Sequence, residues 1–245
     1  MKENEKRGHL HPLSQTILKL TKVFTEMGFE IADGQEIETE FYNFDALNIP
    51  EHHPARDMWD TFWLKPLDSR KLLRTHTSPV QVRFMQANKP PIKIIAPGKC
   101  FRHEATDATH EAQFYQVEAL VVDENISVAN LKGTLESMFE KIFEKKTVVR
   151  LRPSFFPFVE PAFETDMRCF KCEGKGCSMC KGTGWIELGG SGMVHPKVLK
   201  NAGIDSKKYT GFAFGFGIDR IAMLKYGIDD IRILYQGDLR VVNQF

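Results

Sequence analysis

Two arginines more than a hundred residues apart stand in contexts that suit a polyanion. Arg102 lies in Phe101-Arg102-His103-Glu104, and Arg220 closes the run Gly211-Phe-Ala-Phe-Gly215-Phe-Gly217-Ile-Asp-Arg220. A guanidinium presents a planar fork that bonds two phosphate oxygens at once and keeps its charge when partly buried. The glycines of the second run let a ligand approach the backbone closely. Together they point to a nucleoside triphosphate held by arginines. The sequence contains neither G-x-x-x-x-G-K-S/T nor G-x-G-x-x-G between a strand and a helix, which speaks against the two commonest nucleotide-binding folds.

A second chemistry sits in Cys169-x2-Cys172-x4-Cys177-x2-Cys180, which reads as C-x-x-C-x-G-x-G twice over. Four cysteines within so short a run indicate a metal site in a reducing compartment and not a disulfide framework. The repeat is similar to the zinc repeats of the DnaJ chaperone family. Four thiolates would close a tetrahedral site, so zinc there would be structural. Lys171, Lys175 and Lys181 would offset its net negative charge. Cys100, alone, reads as a small buried residue.

Composition bounds the rest. The chain has 245 residues, 42% apolar, with a formal net charge of +1. That allows one large domain, or two at the limit. So small a charge gives no overall attraction for RNA, so any nucleic-acid contact needs a local patch or a partner. Most of the nineteen phenylalanines read as core. No run of eighteen apolar residues is present, so no membrane span is expected. The N-terminus is charged and lacks an apolar stretch of the signal-peptide kind, which points to the cytosol.

The elements that must position these residues follow from periodicity. Leu13, Ile17, Leu18, Leu20, Val23, Phe24 and Met27 have helical spacing over residues 11–27, with Gly28 as the stop. Residues 29–37 read as a short strand and 42–60 as an irregular loop, in which His52 and His53 are solvated. Residues 60–64 and 71–75 read as strands joined near Asp68 and Ser69. A helix over 80–87 follows Pro79. Strands are expected at 92–96, 99–103 and 113–122, with a polar loop at 105–111 between an antiparallel pair. Ser127 caps a helix to about residue 145. Extended segments at 147–152 and 155–161 and a strand at 185–188 flank the cysteine run. A short helix over 195–202, a strand over 211–217 and a helix over 218–226 complete an α+β fold.

The motifs, in order, resemble the class II aminoacyl-tRNA synthetases, and among them the catalytic α subunits of bacterial phenylalanine–tRNA ligases. The stretches that carry the resemblance include Tyr42-Asn-Phe-Asp-Ala-Leu-Asn48, His53-Pro-Ala-Arg-Asp-Met58, Arg74-Thr-His-Thr-Ser-Pro79, Asp107-Ala-Thr-His110, Gln116-Val-Glu118, Phe155-Phe-Pro-Phe-Val-Glu-Pro161, Gly192-Met-Val-His-Pro196 and the run ending at Arg220. They cover nearly the whole chain from His9 onward.

The resemblance implies a class II catalytic domain over residues 1–245: a mainly antiparallel sheet flanked by helices, with the four-cysteine zinc knuckle, 169–184, as an insertion. It implies three signature segments, a dimerising one at 9–43 and two ATP-binding ones at 99–122 and 211–226. Arg102 then holds the α-phosphate of ATP. Arg220 reaches the terminal phosphates and covers one face of the adenine, and Phe114 stacks on the other. Glu104 takes the adenine amino group or a metal ion, His110 reaches the phosphates, and Glu160 places Mg2+. Trp59, His76, Ser78, Gln116 and Glu118 match the positions that hold the substrate ammonium and carboxylate. Phe156 and Phe158 match the partners of its ring, and Val159, Ala213 and Gly215 the walls.

The implied activity is ATP-dependent activation of L-phenylalanine to phenylalanyl-adenylate and transfer to tRNA(Phe). The implied partner is a β subunit in an α2β2 assembly. A carboxylate attacking an α-phosphate needs positioning and charge neutralisation, so no general base is required.

Gln35 stands where the first segment usually has proline, Asp219 where glutamate is usual, and Tyr115 where histidine is common. The family's N-terminal tRNA-binding helical arm has no counterpart before His9. One alternative is a truncated or paralogous synthetase-like protein that binds ligand or partner without full aminoacylation. Another, resting on the cysteines alone, is a zinc-ribbon nucleic-acid binder. The arginines favour the enzyme, because a binding module has no use for triphosphate contacts.

Overall fold

The structure is a computed structural model that describes residues 8–52 and 61–245. Helix α1, Pro12–Glu26, buries Leu13, Leu20, Val23 and Phe24 along one stripe, with proline in its first turn. It stops at Gly28, whose φ is +81°. The single strand expected over 29–37 divides in two. Glu30–Ile31 (β1) pairs in parallel with a strand of the main sheet, and Ile37–Thr39 (β2) leaves to pair with Lys71–Leu73 (β3). The crossing is tight: a Cβ at Gly34 would collide with Val80 and with the Arg74 guanidinium.

The segment read as a loop from residue 42 is largely helical as far as residue 47. Glu40–Asn43 (α2) runs into a 3-10 turn, Asp45–Leu47. Phe44, Ala46, Leu47 and Ile49 are buried, and the Asn48 amide donates to the Pro157 carbonyl at 2.7 Å. Polar and proline residues set the loop reading, but the apolar residues among them anchor the segment to the core. Residues 61–64 pair with β3 as expected, with Leu64 N–H donating to the Lys71 carbonyl at 2.9 Å. Helix α3 spans Pro79–Ala87.

β4, Ile92–Phe101, is one unbroken strand across Pro97 and Gly98 and not the two expected. Each of its residues finds a partner on β5, Gln113–Asp123. Pro97 falls beyond the two-residue reach of β1, where β4 has no second neighbour to supply. The helix α4, Val128–Phe143, begins in a capping box between Ser127 and Asn130. Strands β6 (Val149–Phe156), β7 (Val159–Arg168) and β8 (Trp185–Val194) form a meander with the cysteine segment between β7 and β8. β8 runs six residues past the expected strand end, through glycines that still pair with β7. Helix α5 (Pro196–Asn201), strand β9 (Thr210–Gly217), helix α6 (Ile218–Tyr226), a 3-10 turn (Ile231–Leu234) and helix α7 (Leu239–Val242) follow.

The main sheet has the order β1-β4-β5-β9-β8-β7-β6 and is antiparallel except for β1. Its two faces are set by residue alternation on the central strands. Phe212, Phe214 and Phe216 of β9 point with Val117, Ala119 and Val121 of β5 into a core closed by α1, α4 and α6. Ala213 faces the other way, with Leu120 and Val122, into a second core that takes in the buried 44–49 segment and residues of α3 and α5. The functional residues stand on that second face, where β9 offers glycine and alanine in place of phenylalanine.

Candidate active site

A cavity of about 410 Å³ opens on this face. His76, Ser78, Arg102, Phe114, Gln116, Glu118, Phe156, Phe158, Val159, Ala213 and Gly215 line it. Strand alternation accounts for much of the gathering: Phe114, Gln116 and Glu118 are successive same-face residues of β5, and Glu118 lies opposite Gly215 in the ladder.

Midway along the cavity stands Glu118, only 4% exposed. Its carboxylate accepts from the Ser78 hydroxyl at 3.0 Å, the Thr77 hydroxyl at 3.2 Å, the Gln116 amide at 3.4 Å and the Gln81 amide. All four donors are neutral, and among the described residues no cation forms an ion pair with it. Burial pushes its carboxyl up to about 7, against the pull of those donors. Gly215 leaves room for this arrangement: a Cβ would lie 2.8 Å from Glu118 Oε2 and closer still to Gln116 Nε2, and both side-chain ends would have to shift. His76 is buried, with Nε2 3.1 Å from the Asn43 carbonyl. Burial, aided by Arg102, lowers its pKa to about 3, so it is a neutral ring. A carbonyl can only accept, so the ring proton sits on Nε2.

Past Glu118, at the level of Ala213, the cavity is apolar. Phe156 and Phe158 stack with centroids 6.0 Å apart, facing Val159 and Ala213. A Cβ at Gly190 would lie 2.8 Å from the Phe156 ring and one at Gly192 2.7 Å from Val159, so the glycines of β8 are what let these side chains settle.

The opposite end, at Phe114, is cationic. The Arg102 guanidinium lies 4.9 Å from the Phe114 ring centroid, donates from Nε to the Thr75 carbonyl at 3.1 Å, and has Glu104 at 3.9 Å. Arg220 follows Gly217, which lines the cavity, and is exposed on the first turn of α6. Among the described residues no carboxylate lies within 4.0 Å of it. The arrangement offers a carboxylate for an ammonium, an apolar slot for a ring, and Arg102 against an aromatic face for a nucleotide.

The family profile described as "tRNA synthetases class II core domain (F)" matches residues 1–245. A phenylalanine–tRNA ligase α subunit of Clostridium perfringens is 57% identical over 238 residues, covering 97% of this chain and 69% of its own. One of Staphylococcus carnosus is 57% identical over 242 residues, covering 98% and 68%. The chain belongs to the phenylalanine–tRNA ligase α-subunit family. Among solved structures, pyrrolysyl-tRNA synthetase of Desulfitobacterium hafniense superposes with a TM-score of 0.70 at 18% identity, over 93% of this chain and 74% of that one, a likeness of fold.

Among the described residues, the expected site residues Glu104, His110, Glu160 and Arg220 do not line the cavity. Trp59 falls outside the described residues. His110 is exposed in the 105–111 loop, its Nδ1 3.0 Å from Asp107. Glu160 opens on an adjoining cleft of about 570 Å³ and sits 3.3 Å from His195 Nε2. The four cysteines do converge. Their Sγ atoms lie within 4.8 Å of one another, with Cys169–Cys177, Cys172–Cys180 and Cys177–Cys180 at 3.7 Å. Amides of Gly176, Cys177 and Gly184 point at sulfurs at 3.1–3.3 Å. This donor set suits a four-sulfur metal centre.

Thr77 and Gln81, which hold Glu118, are absent from the residues expected from sequence. Their signal was the spacing Thr77-Ser78-x-x-Gln81, which puts all three at the start of one helix. Asp219, noted only as a departure, is buried and accepts the Tyr115 amide at 2.6 Å and the Tyr235 hydroxyl. Nothing local in the sequence marks Tyr235 for this contact.

Proposed function

We propose that the chain is the catalytic α subunit of a phenylalanine–tRNA ligase: it condenses L-phenylalanine with ATP to phenylalanyl-adenylate and passes the phenylalanyl group to tRNA(Phe). The observation that carries this is Glu118, a buried carboxylate with only neutral donors, standing between an apolar end of the cavity lined by Val159 and Ala213 and an end that holds Arg102 and Phe114. The substrate ammonium supplies the missing cation. The ring enters between Phe156–Phe158 and Ala213, and the carboxylate then points toward the arginines. A carboxylate oxygen attacks the α-phosphorus, the bond to the leaving pyrophosphate breaks, and Arg102 and Arg220 neutralise the charge that spreads over the phosphate oxygens. Phe114 and Arg220 bracket the adenine.

Mg2+ would arrive with the triphosphate and neutralise its oxygens, since it binds through substrate phosphates and few carboxylates. Glu104, beside Arg102, fits that requirement better than Glu160, which faces the adjoining cleft. The cysteine cluster is assigned to zinc. Thiolates about 2.3 Å from a tetrahedral zinc stand about 3.8 Å apart, close to the 3.7 Å edges. Four sulfurs leave no open position, so the ion is structural. A β subunit partner and a cytoplasmic site of action complete the reading. No helix among the described residues is long and apolar enough to cross a membrane. ATP–pyrophosphate exchange with each amino acid, with and without a β subunit, tests the assignment. Exchange dependent on phenylalanine supports it, and none with any amino acid refutes it.

A further inference from the structure

The two nucleotide-binding segments are joined by a contact that neither contains in full. Asp219, 2% exposed, lies between Gly217, which lines the cavity, and Arg220. One oxygen of its carboxylate takes the backbone N–H of Tyr115 at 2.6 Å, and Tyr115 lies between Phe114 and Gln116 on β5. The other takes the hydroxyl of Tyr235, which follows the 3-10 turn Ile231–Leu234. The same turn grips the second segment elsewhere, where Ile231 N–H donates to the Ala108 carbonyl at 2.9 Å in the loop that carries His110. The turn itself is held by Ile231 and Leu234 in the main core.

We propose that Tyr235 is a positioning residue for the nucleotide half of the reaction. Its hydroxyl fixes the rotamer of Asp219, and Asp219 in turn fixes the offset between Phe114 on β5 and Arg220 on α6, the two side chains that bracket the adenine. A buried carboxylate with two donors has one geometry. With one donor it can swing, and the Tyr115 amide goes with it or loses its partner. Tyr235 itself touches neither cavity nor substrate. The proposal rests on the reading of Phe114 and Arg220 as nucleotide contacts.

Tyr235→Phe removes the hydroxyl and keeps the ring in the core. In the chain assembled with its β subunit, pyrophosphate exchange is expected to show a KM for ATP raised roughly tenfold, as loss of a hydrogen bond to a buried charge would produce. The KM for phenylalanine should stay within about twofold, because Glu118 and its donors are untouched. Asp219→Asn keeps one acceptor but offers an amide where a second is needed. The double variant should be scarcely worse than the poorer single one, since both break the same link. Equal increases in both KM values, or multiplying defects in the double variant, would mean that Tyr235 serves stability alone and would overturn the proposal. Arg220→Ala separates the two readings: an unchanged KM for ATP there refutes the nucleotide assignment. A raised KM there beside a normal Tyr235→Phe refutes only the strut.

Discussion

Gly215 stands directly across the β5–β9 ladder from Glu118, and a Cβ at Gly215 would lie 2.8 Å from Glu118 Oε2. The carboxylate occupies the volume that any larger residue would need. Gly215→Ala should therefore displace the ammonium site while leaving the arginine end intact. We expect phenylalanine affinity to fall by at least about a hundredfold, in keeping with overpacking of a well-packed site, with ATP binding unaltered. Calorimetric titration of each ligand separately checks it, and an unchanged phenylalanine Kd contradicts the pocket assignment.

The protonation of Glu118 gives a pH dependence. Its carboxyl sits at about 7 in the free protein, above the ordinary value of 4.5, because burial disfavours the charge. A raised acid makes its contribution to fold stability in full below about pH 4.5, and that contribution is lost as pH rises through about 7. Ligand binding has the opposite sign, since an ammonium needs the carboxylate. Phenylalanine affinity should weaken below about pH 7, approaching about tenfold per pH unit for a single proton, and should fall again at alkaline pH where the substrate ammonium loses its proton. His76, lowered to about 3, stays neutral throughout. Glu118→Gln should bind weakly and lose the acid-side dependence, and an acid-side slope retained in that variant would place the titration elsewhere.

Arg102→Ala and Arg220→Ala should each cut amino-acid activation by at least about a hundredfold, the scale of losing a charged contact to the transition state. Circular dichroism should show the fold intact, since Arg102 makes one hydrogen bond to a carbonyl and Arg220 pairs with no carboxylate among the described residues. Near-normal exchange in either purified variant would remove it from the site.

One zinc per chain is expected by elemental analysis of protein purified under reducing conditions without chelator. Phe170 stacks on Phe143 of α4 at 4.9 Å, and Cys169 and Cys180 belong to the main core. Replacing any of the four cysteines with serine should thus lower the melting temperature and expose the β7–β8 hairpin to proteolysis before it alters KM values. Protein free of metal but equally stable would rule the centre out.

Ala213 lines the same cavity as Phe156 and Phe158. Ala213→Gly should admit para-chlorophenylalanine, measured as a rise in its kcat/KM relative to phenylalanine, with the strand loosened by roughly 0.5–1 kcal/mol. An unchanged ratio in a folded variant would remove Ala213 from the ring wall.

Much of this site was legible before any tertiary structure. The alternation of Phe212, Phe214 and Phe216 with Ala213, Gly215 and Gly217 already separates a core face from a ligand face, because successive strand residues point opposite ways. Cys169, Cys172, Cys177 and Cys180 lie within twelve positions, so their convergence is a local matter. α1 and its stop at Gly28 follow from spacing and one left-handed residue. What the tertiary structure decided depends on register and burial between distant segments. The alternation on β5 put Gln116 and Glu118 on one face, but only the docking of α3 supplied Thr77, Ser78 and Gln81 as donors. The 29–37 strand split because β1 found an edge beside β4 while β2 met β3, a choice between partners more than thirty residues away. Glu160 comes within 3.3 Å of His195, a contact between segments thirty-five residues apart that neither motif shows by itself. Tyr235 reaches Asp219 through the packing of a 3-10 turn into a core built by three helices, and no pattern within either segment encodes that distance.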